Sequence, residues 1–166
     1  MAFRVDLLSL SEVECFEINA SQLNSSMHHD KKEQKVNEFC AKGLENYRDI
    51  IAAIFKQIEK SKCHISARYD GGHSLHEFTD TNGKCRIRIC LQKQYDNPIE
   101  IIWIILHEFG HHLSEPMDVE DRSNFQLRIE REKLAWEKAE KLLILYPKLL
   151  ELKSNFDNYQ KQCLET

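Results

Sequence analysis

His107, Glu108 and His111 form the pattern His-Glu-x-x-His directly behind the apolar run Ile101–Leu106. Residues four apart on a helix lie about 40° apart around its axis, so the two imidazoles face one point and Glu108 stands beside them. Two imidazoles and an adjacent carboxylate suit a zinc hydrolase, with the histidines as ligands and the glutamate as general base. A catalytic zinc takes three protein ligands and leaves a fourth position open. Two histidines are therefore an incomplete set.

A longer form of the motif would place glycine at 114 and a third histidine at 117, but those positions are Ser114 and Met117. The remaining source is a glutamate on the following helix: Glu130, Glu132 or Glu137. At about 100° per residue, Glu132 falls on the stripe of Ile129, Ala135, Trp136 and Ala139, whereas Glu130 and Glu137 share a face with Lys133 and Lys141. A carboxylate on an apolar stripe needs a cation or metal as partner, and Glu132 becomes the expected third ligand. Zinc would lower the pKa of a water from about 15.7 toward about 7 and polarise a carbonyl. Glu108 would take the water's proton and return it to the leaving amine. His112 lies on another side of the helix and reads as a packing or surface residue. Tyr69, Tyr146, His73 and His76 are equivalent candidates for stabilising an oxyanion.

Two helices must position this set. Asn97-Pro98-Ile99-Glu100 opens the first with a capping residue, a proline suited to the first turn and a capping-box glutamate, and Pro116 sets its end near Ser114 or Glu115. Ser123 and Gln126 mark the start of the second, which runs to Pro147. Gly110, inside the first helix, costs about 1 kcal/mol relative to alanine and implies a close backbone approach under the metal. Ala135 and Ala139, small on the facing stripe, permit that approach. Trp136 reads as a core residue beside the site.

Upstream, Val36, Phe39, Cys40, Leu44, Tyr47, Ile51, Ile54, Phe55 and Ile58 repeat at helical spacing behind the capping-box pair Asp30 and Glu33, which predicts one long amphipathic helix. Residues 62–92 change texture: CHISARY, a Gly71-Gly72 turn, HSLHEFT, an Asp80–Gly83 turn and KCRIRICLQ predict three mainly antiparallel strands. Cys85, Ile87, Ile89 and Leu91 form the core face of the last strand, and Arg86 and Arg88 its wet face. His64, His73 and His76 read as polar surface residues. Beyond Pro147, Leu149, Leu150, Leu152, Phe156 and Tyr159 predict a C-terminal helix within 148–166 that closes the core. Residues 1–29 are poorly readable, with a short strand at Phe3–Leu7, a helical turn after Ser11 and a solvated pair, His28-His29. The expected architecture is α+β, one domain over residues 1–166.

The 166-residue chain carries a net charge of -4, which gives no general polyanion-binding surface, so nucleic acid is not an expected partner. No signal-peptide pattern or membrane-length apolar run is present, and the expected location is the cytoplasm. Six cysteines without a Cys-x-x-Cys pair predict reduced, mostly buried thiols, giving little support for a disulfide or a structural zinc site.

The segment Leu106-His107-Glu108-Phe109-Gly110-His111 resembles the Leu-His-Glu-x-Gly-His of the ImmA/IrrE-type minimal gluzincin peptidases. Glu132 followed by Trp136 is similar to that family's helix glutamate and trailing aromatic, although Lys133-Leu134 replaces the small and amide residues common there. The resemblance covers roughly residues 35–147. It implies a zincin-like fold, one catalytic zinc on His107, His111 and Glu132, and a cytosolic peptidase that cleaves a repressor or other regulatory protein. No helix-turn-helix or sensor segment is legible. Two other readings compete: a deformylase-like zinc hydrolase, for which Cys90 would have to serve as a ligand although the strand phase turns it outward, and a non-catalytic metal-binding module that engages a protein partner through the last helix.

Overall fold

The computed structural model describes residues 30–78, 85–115 and 120–165, and the readings for 1–29, the 80–83 turn and Pro116 lie outside them. The chain divides into two compact units, Met1–Lys35 and Val36–Thr166. In the first, residues 30–35 are helical. All that follows concerns the second.

The predicted long helix is broken. Helical backbone over 36–40 gives way at Gly43, whose φ of +87° is left-handed, and the Gly43 and Leu44 amides both donate to the Cys40 carbonyl. Glycine takes this conformation at little cost, and it ends a helix by recapturing a free carbonyl. A short 3-10 turn, Glu45–Tyr47, leads into α1, Arg48–Lys60, which buries Ile51, Ile54, Phe55 and Ile58. The hydrophobic stripe continues across the break, so its periodicity concealed the stop.

The sheet comprises β1 (Cys63–Arg68), β2 (Leu75–Phe78) and β3 (Cys85–Cys90), in the order β1-β3-β2. It is mixed rather than mainly antiparallel: β3 pairs antiparallel with β2 and parallel with β1. The hairpin strand β3 inserts between its predecessors, and a strand antiparallel to β2 must then run with β1. At the turn after β1, Gly71 has φ +73° and Asp70 accepts from the Gly72 amide. Asp70 also takes two hydrogen bonds from Arg68, both 2.7 Å. Ile87, Ile89 and Leu91 are fully buried, as the alternation predicts.

Four helices complete the α+β unit: α2 (Glu100–His112), α3 (Phe125–Leu143), the short α4 (Pro147–Leu150) and α5 (Lys153–Glu165). The expected caps shift by a residue or two. Asn97 accepts from the Ile99 amide ahead of α2, and Asn124, not Ser123, caps α3 by accepting from Gln126 and Leu127. α2 ends before Ser114, whose hydroxyl donates to the Gly110 carbonyl.

Ile101, Ile102, Trp103, Ile105, Leu106 and Phe109 make α2 buried almost all round, which marks it as the central helix. The single helix predicted beyond Pro147 is broken at 151–152 into α4 and α5, and the two close the core: Leu149 on α4 and Phe156 on α5 are fully buried, Phe156 meets the Trp103 and Trp136 rings edge-on, and Asn155 accepts from the Trp103 indole. Among the described residues, no helix is long and apolar enough to cross a membrane.

Candidate metal centre

Gly110 sets the spacing of the two site helices. A Cβ there would lie 2.2 Å from the Ala135 carbonyl oxygen and 2.9 Å from its carbon. Only a hydrogen fits, which explains a helix-interior glycine. Ala135 and Ala139 are fully buried on the facing surface of α3, and Trp136 stacks on His107 with ring centroids 4.2 Å apart.

At this crossing the structure brings together His107, His111 and Glu132. The two Nε2 atoms are 3.1 Å apart, and Glu132 Oε2 lies 3.1 Å from His107 Nε2 and 3.4 Å from His111 Nε2. Glu132 is not buried as its stripe suggested; its side chain is 49% exposed, against 12% and 11% for the histidines. It reaches in from the rim of the cleft, so the geometry of its oxygen, rather than the cost of burying a charge, identifies it.

The donor set fits a tetrahedral zinc. Bonds of about 2.0–2.1 Å to tetrahedrally placed ligands put donor atoms about 3.3 Å apart, close to the three observed edges. Without a cation the set is poorly matched, because two imidazole nitrogens and one carboxylate oxygen crowd a single point. Burial lowers the His107 pKa and thereby favours the neutral ring that a metal requires, against the opposing pull of Glu132. Burial also works to raise the Glu132 carboxyl, but hydrogen bonds from His107 and His111, with their charges, together hold it well below the usual carboxylate range. His107 Nδ1 and His111 Nδ1 are buried without a hydrogen-bond partner.

Glu108 is 7% exposed beside this triangle. Burial pushes its carboxyl up to about 7, with Glu132 adding to the rise and the His111 charge and the His76 backbone N–H opposing it. That value suits a group that must take and return a proton near neutrality. The edge strand β2 thus contributes a main-chain donor that periodicity did not reveal.

A cleft of about 600 Å³ opens over the triangle, with His73, Tyr95, His107, Glu108, Glu132 and Tyr159 among its lining residues. Of the four oxyanion candidates only His73 lines it. Tyr69 donates to Glu38, Tyr146 keeps a buried, unpartnered hydroxyl, and His76 turns to Cys85. Tyr159, predicted as core, is a cleft residue too. Cys90 is buried, not outward, and does not belong to the ligand group. Arg88 pairs with Glu77 at 2.8 Å.

Two expectations about cysteine and histidine fail together. Cys63 and Cys85 are disulfide-bonded, not reduced, and His76 and His112 are neither surface nor simple packing residues. Their nitrogens lie 3.2 Å and 3.1 Å from Cys85 Sγ. The four residues come from four separate elements, so no local spacing could announce the cluster. Among the described residues, three further cysteines lie outside the disulfide: Cys40 and Cys90, both buried, and Cys163, which is exposed.

No known protein family, curated protein or solved structure matches this chain.

Proposed function

We propose that this protein is a zinc-dependent peptidase that hydrolyses peptide bonds in a protein substrate. One observation carries the reading: three donor atoms with the edge lengths of a zinc tetrahedron converge beside a cleft that His107 and Glu132 line, next to a buried glutamate held near neutral pKa. The resemblance of the His107–His111 segment and Glu132 to ImmA/IrrE-type peptidases points the same way and makes an intracellular regulatory protein the proposed substrate. Both this lineage and a finer zincin assignment belong to the proposal.

His107, His111 and Glu132 would hold the ion, and zinc bound there would supply an acidified water and a polarised carbonyl. Glu108 accepts the proton from the attacking water and delivers it to the leaving amine, a sequence that calls for a carboxyl titrating near the working pH. The His76 backbone N–H steadies the Glu108 carboxylate, and the Trp136 face holds the His107 ring. The cleft, lined by His73, Tyr95 and Tyr159, would hold the chain to be cut.

Zinc analysis and peptide cleavage by two variants test this. Glu132→Ala should lose the zinc of this centre. Glu108→Gln should keep it and lose about 10²–10⁴-fold in kcat, the usual worth of a general base. Cleavage at the wild-type rate by Glu108→Gln would overturn this mechanism, whereas zinc-loaded wild type that cleaves no peptide would favour a metal-holding interaction module.

A further inference from the structure

The disulfide between Cys63 and Cys85 carries a contradiction that identifies a second site. The two cysteines open β1 and β3 and sit opposite each other in the parallel register, their Cα atoms 4.6 Å apart. His76 reaches the same point from β2 and His112, the last residue of α2, from above. All four ligand atoms lie within 4.8 Å of one another, with both sulfurs buried and both rings half-buried.

The Ser61 carbonyl fixes the His112 tautomer. A carbonyl can only accept, so His112 Nε2, 3.1 Å from that oxygen, carries the proton, and Nδ1 presents a bare lone pair. That lone pair points at Cys85 Sγ from 3.1 Å. A disulfide sulfur has no proton to give, so this contact is not a hydrogen bond. His76 Nε2 closes on the same sulfur at 3.2 Å. A sulfur approached by two imidazoles, one with its lone pair fixed toward it by a backbone carbonyl, has the surroundings of a metal-bound thiolate.

We infer that Cys63, His76, Cys85 and His112 form a structural zinc site when the cysteines are reduced, and that the disulfide is its oxidised, metal-free alternative. Two thiolates and two imidazoles are a closed tetrahedral zinc set. Zinc would place sulfur and nitrogen donors about 3.6 Å apart, a few tenths of an ångström beyond the present contacts. Two molecules of a small thiol, RSH, supply the two electrons and two protons that cleave Cys63–Cys85, leaving two cysteine thiols and RSSR. Zinc then binds both sulfurs and displaces their two protons to solvent, while His112 binds through its Nδ1 lone pair and His76 through Nε2 as the neutral Nδ1–H ring. Exchange with RSSR runs the sequence backwards and releases the metal.

This site does not depend on the peptidase reading, and metal counting separates the two. The full-length chain is reduced with a small thiol, loaded with zinc, desalted under argon and analysed for bound metal. Wild type should hold two equivalents, falling to one after treatment with oxidised glutathione. His107→Ala/Glu132→Ala should hold one when reduced and none when oxidised, whereas Cys63→Ser/Cys85→Ser should hold one in either state. With cobalt(II) in place of zinc, reduced His107→Ala/Glu132→Ala should show a near-ultraviolet thiolate-to-metal charge-transfer band that oxidation abolishes. Because the band and the redox-dependent loss are also read on wild type, misfolding of a serine variant leaves the test intact. Reduced wild type that shows no thiolate band and the same metal content as the oxidised protein would overturn the inference. An empty His107–His111–Glu132 centre, which would remove the basis of the peptidase reading, would instead appear as a single, redox-sensitive equivalent in wild type.

Discussion

Glu108 shows how one buried side chain ties stability to pH. Its folded pKa of about 7 lies above the ordinary 4.5, so the folded chain binds this proton more tightly than the unfolded chain does. The stabilising contribution is complete below about pH 4.5, declines as pH rises toward 7 and is spent above that. In chelator-treated protein, Glu108→Gln should match wild type at pH 4 and be more stable at pH 8 by up to about 3 kcal/mol, the free energy that separates a carboxyl titrating near 7 from one titrating near 4.5. Urea midpoints at the two pH values measure this, and an equal difference at both would show that the carboxyl is not buried as described. His107, Glu108 and His111 were legible because their chemistry is packed into one helical turn. Helical phase brings Glu132 to the two histidines, but not by the burial it implies: the carboxylate lies at the rim and only its oxygen reaches them. The place of His76 and His112 is not legible in the sequence, because a histidine's meaning depends on neighbours brought in by other elements.

At the level of elements, the site is a contact between two helices, and Gly110 lies directly against the Ala135 main chain. Gly110→Ala forces the helices apart or α3 along its axis, and overpacking of this kind costs about 1–3 kcal/mol, occasionally more. Helix propensity alone predicts the opposite, a gain of about 1 kcal/mol. The sign of the change in denaturation midpoint therefore decides between the two. Zinc affinity should fall as well, since Glu132 lies three residues before Ala135 and moves with it. Helix existence was easy to read because the 3.6-residue stripe is strong. Helix continuity was not, since the stripe runs across Gly43 while the backbone turns left-handed there. Strand pairing was harder still: alternation identified the strands, but the insertion of β3 between β1 and β2 depends on partners far apart in the chain.

Across the whole unit, the core reaches the site through aromatic rings. Phe156 on α5 lies against Trp103 and Trp136, and Trp136 supports the His107 ring. Phe156→Ala should cost about 3–5 kcal/mol in unfolding free energy, as expected for an aromatic side chain deleted from a packed core. It should also weaken zinc binding, because the surface beneath His107 loosens. Bound zinc in turn should raise the thermal midpoint, and a chelator should lower it, in proportion to the logarithm of free metal. A Phe156→Ala protein with wild-type zinc affinity would show that the core and the centre are independent. The closing role of α4 and α5 is readable from Leu149 and Phe156, whereas the cleft beside Tyr159 is not, because a concavity is a property of several elements at once.

The obstruction at Gly110 also has a genetic consequence. The atoms that a new Cβ would strike are the carbonyl oxygen, carbon and Cα of residue 135, all main chain. Trimming the side chain at 135 creates no room, so even Ala135→Gly should not suppress Gly110→Ala. Revertants selected from that variant should restore glycine itself or change residues that let α3 travel as a body.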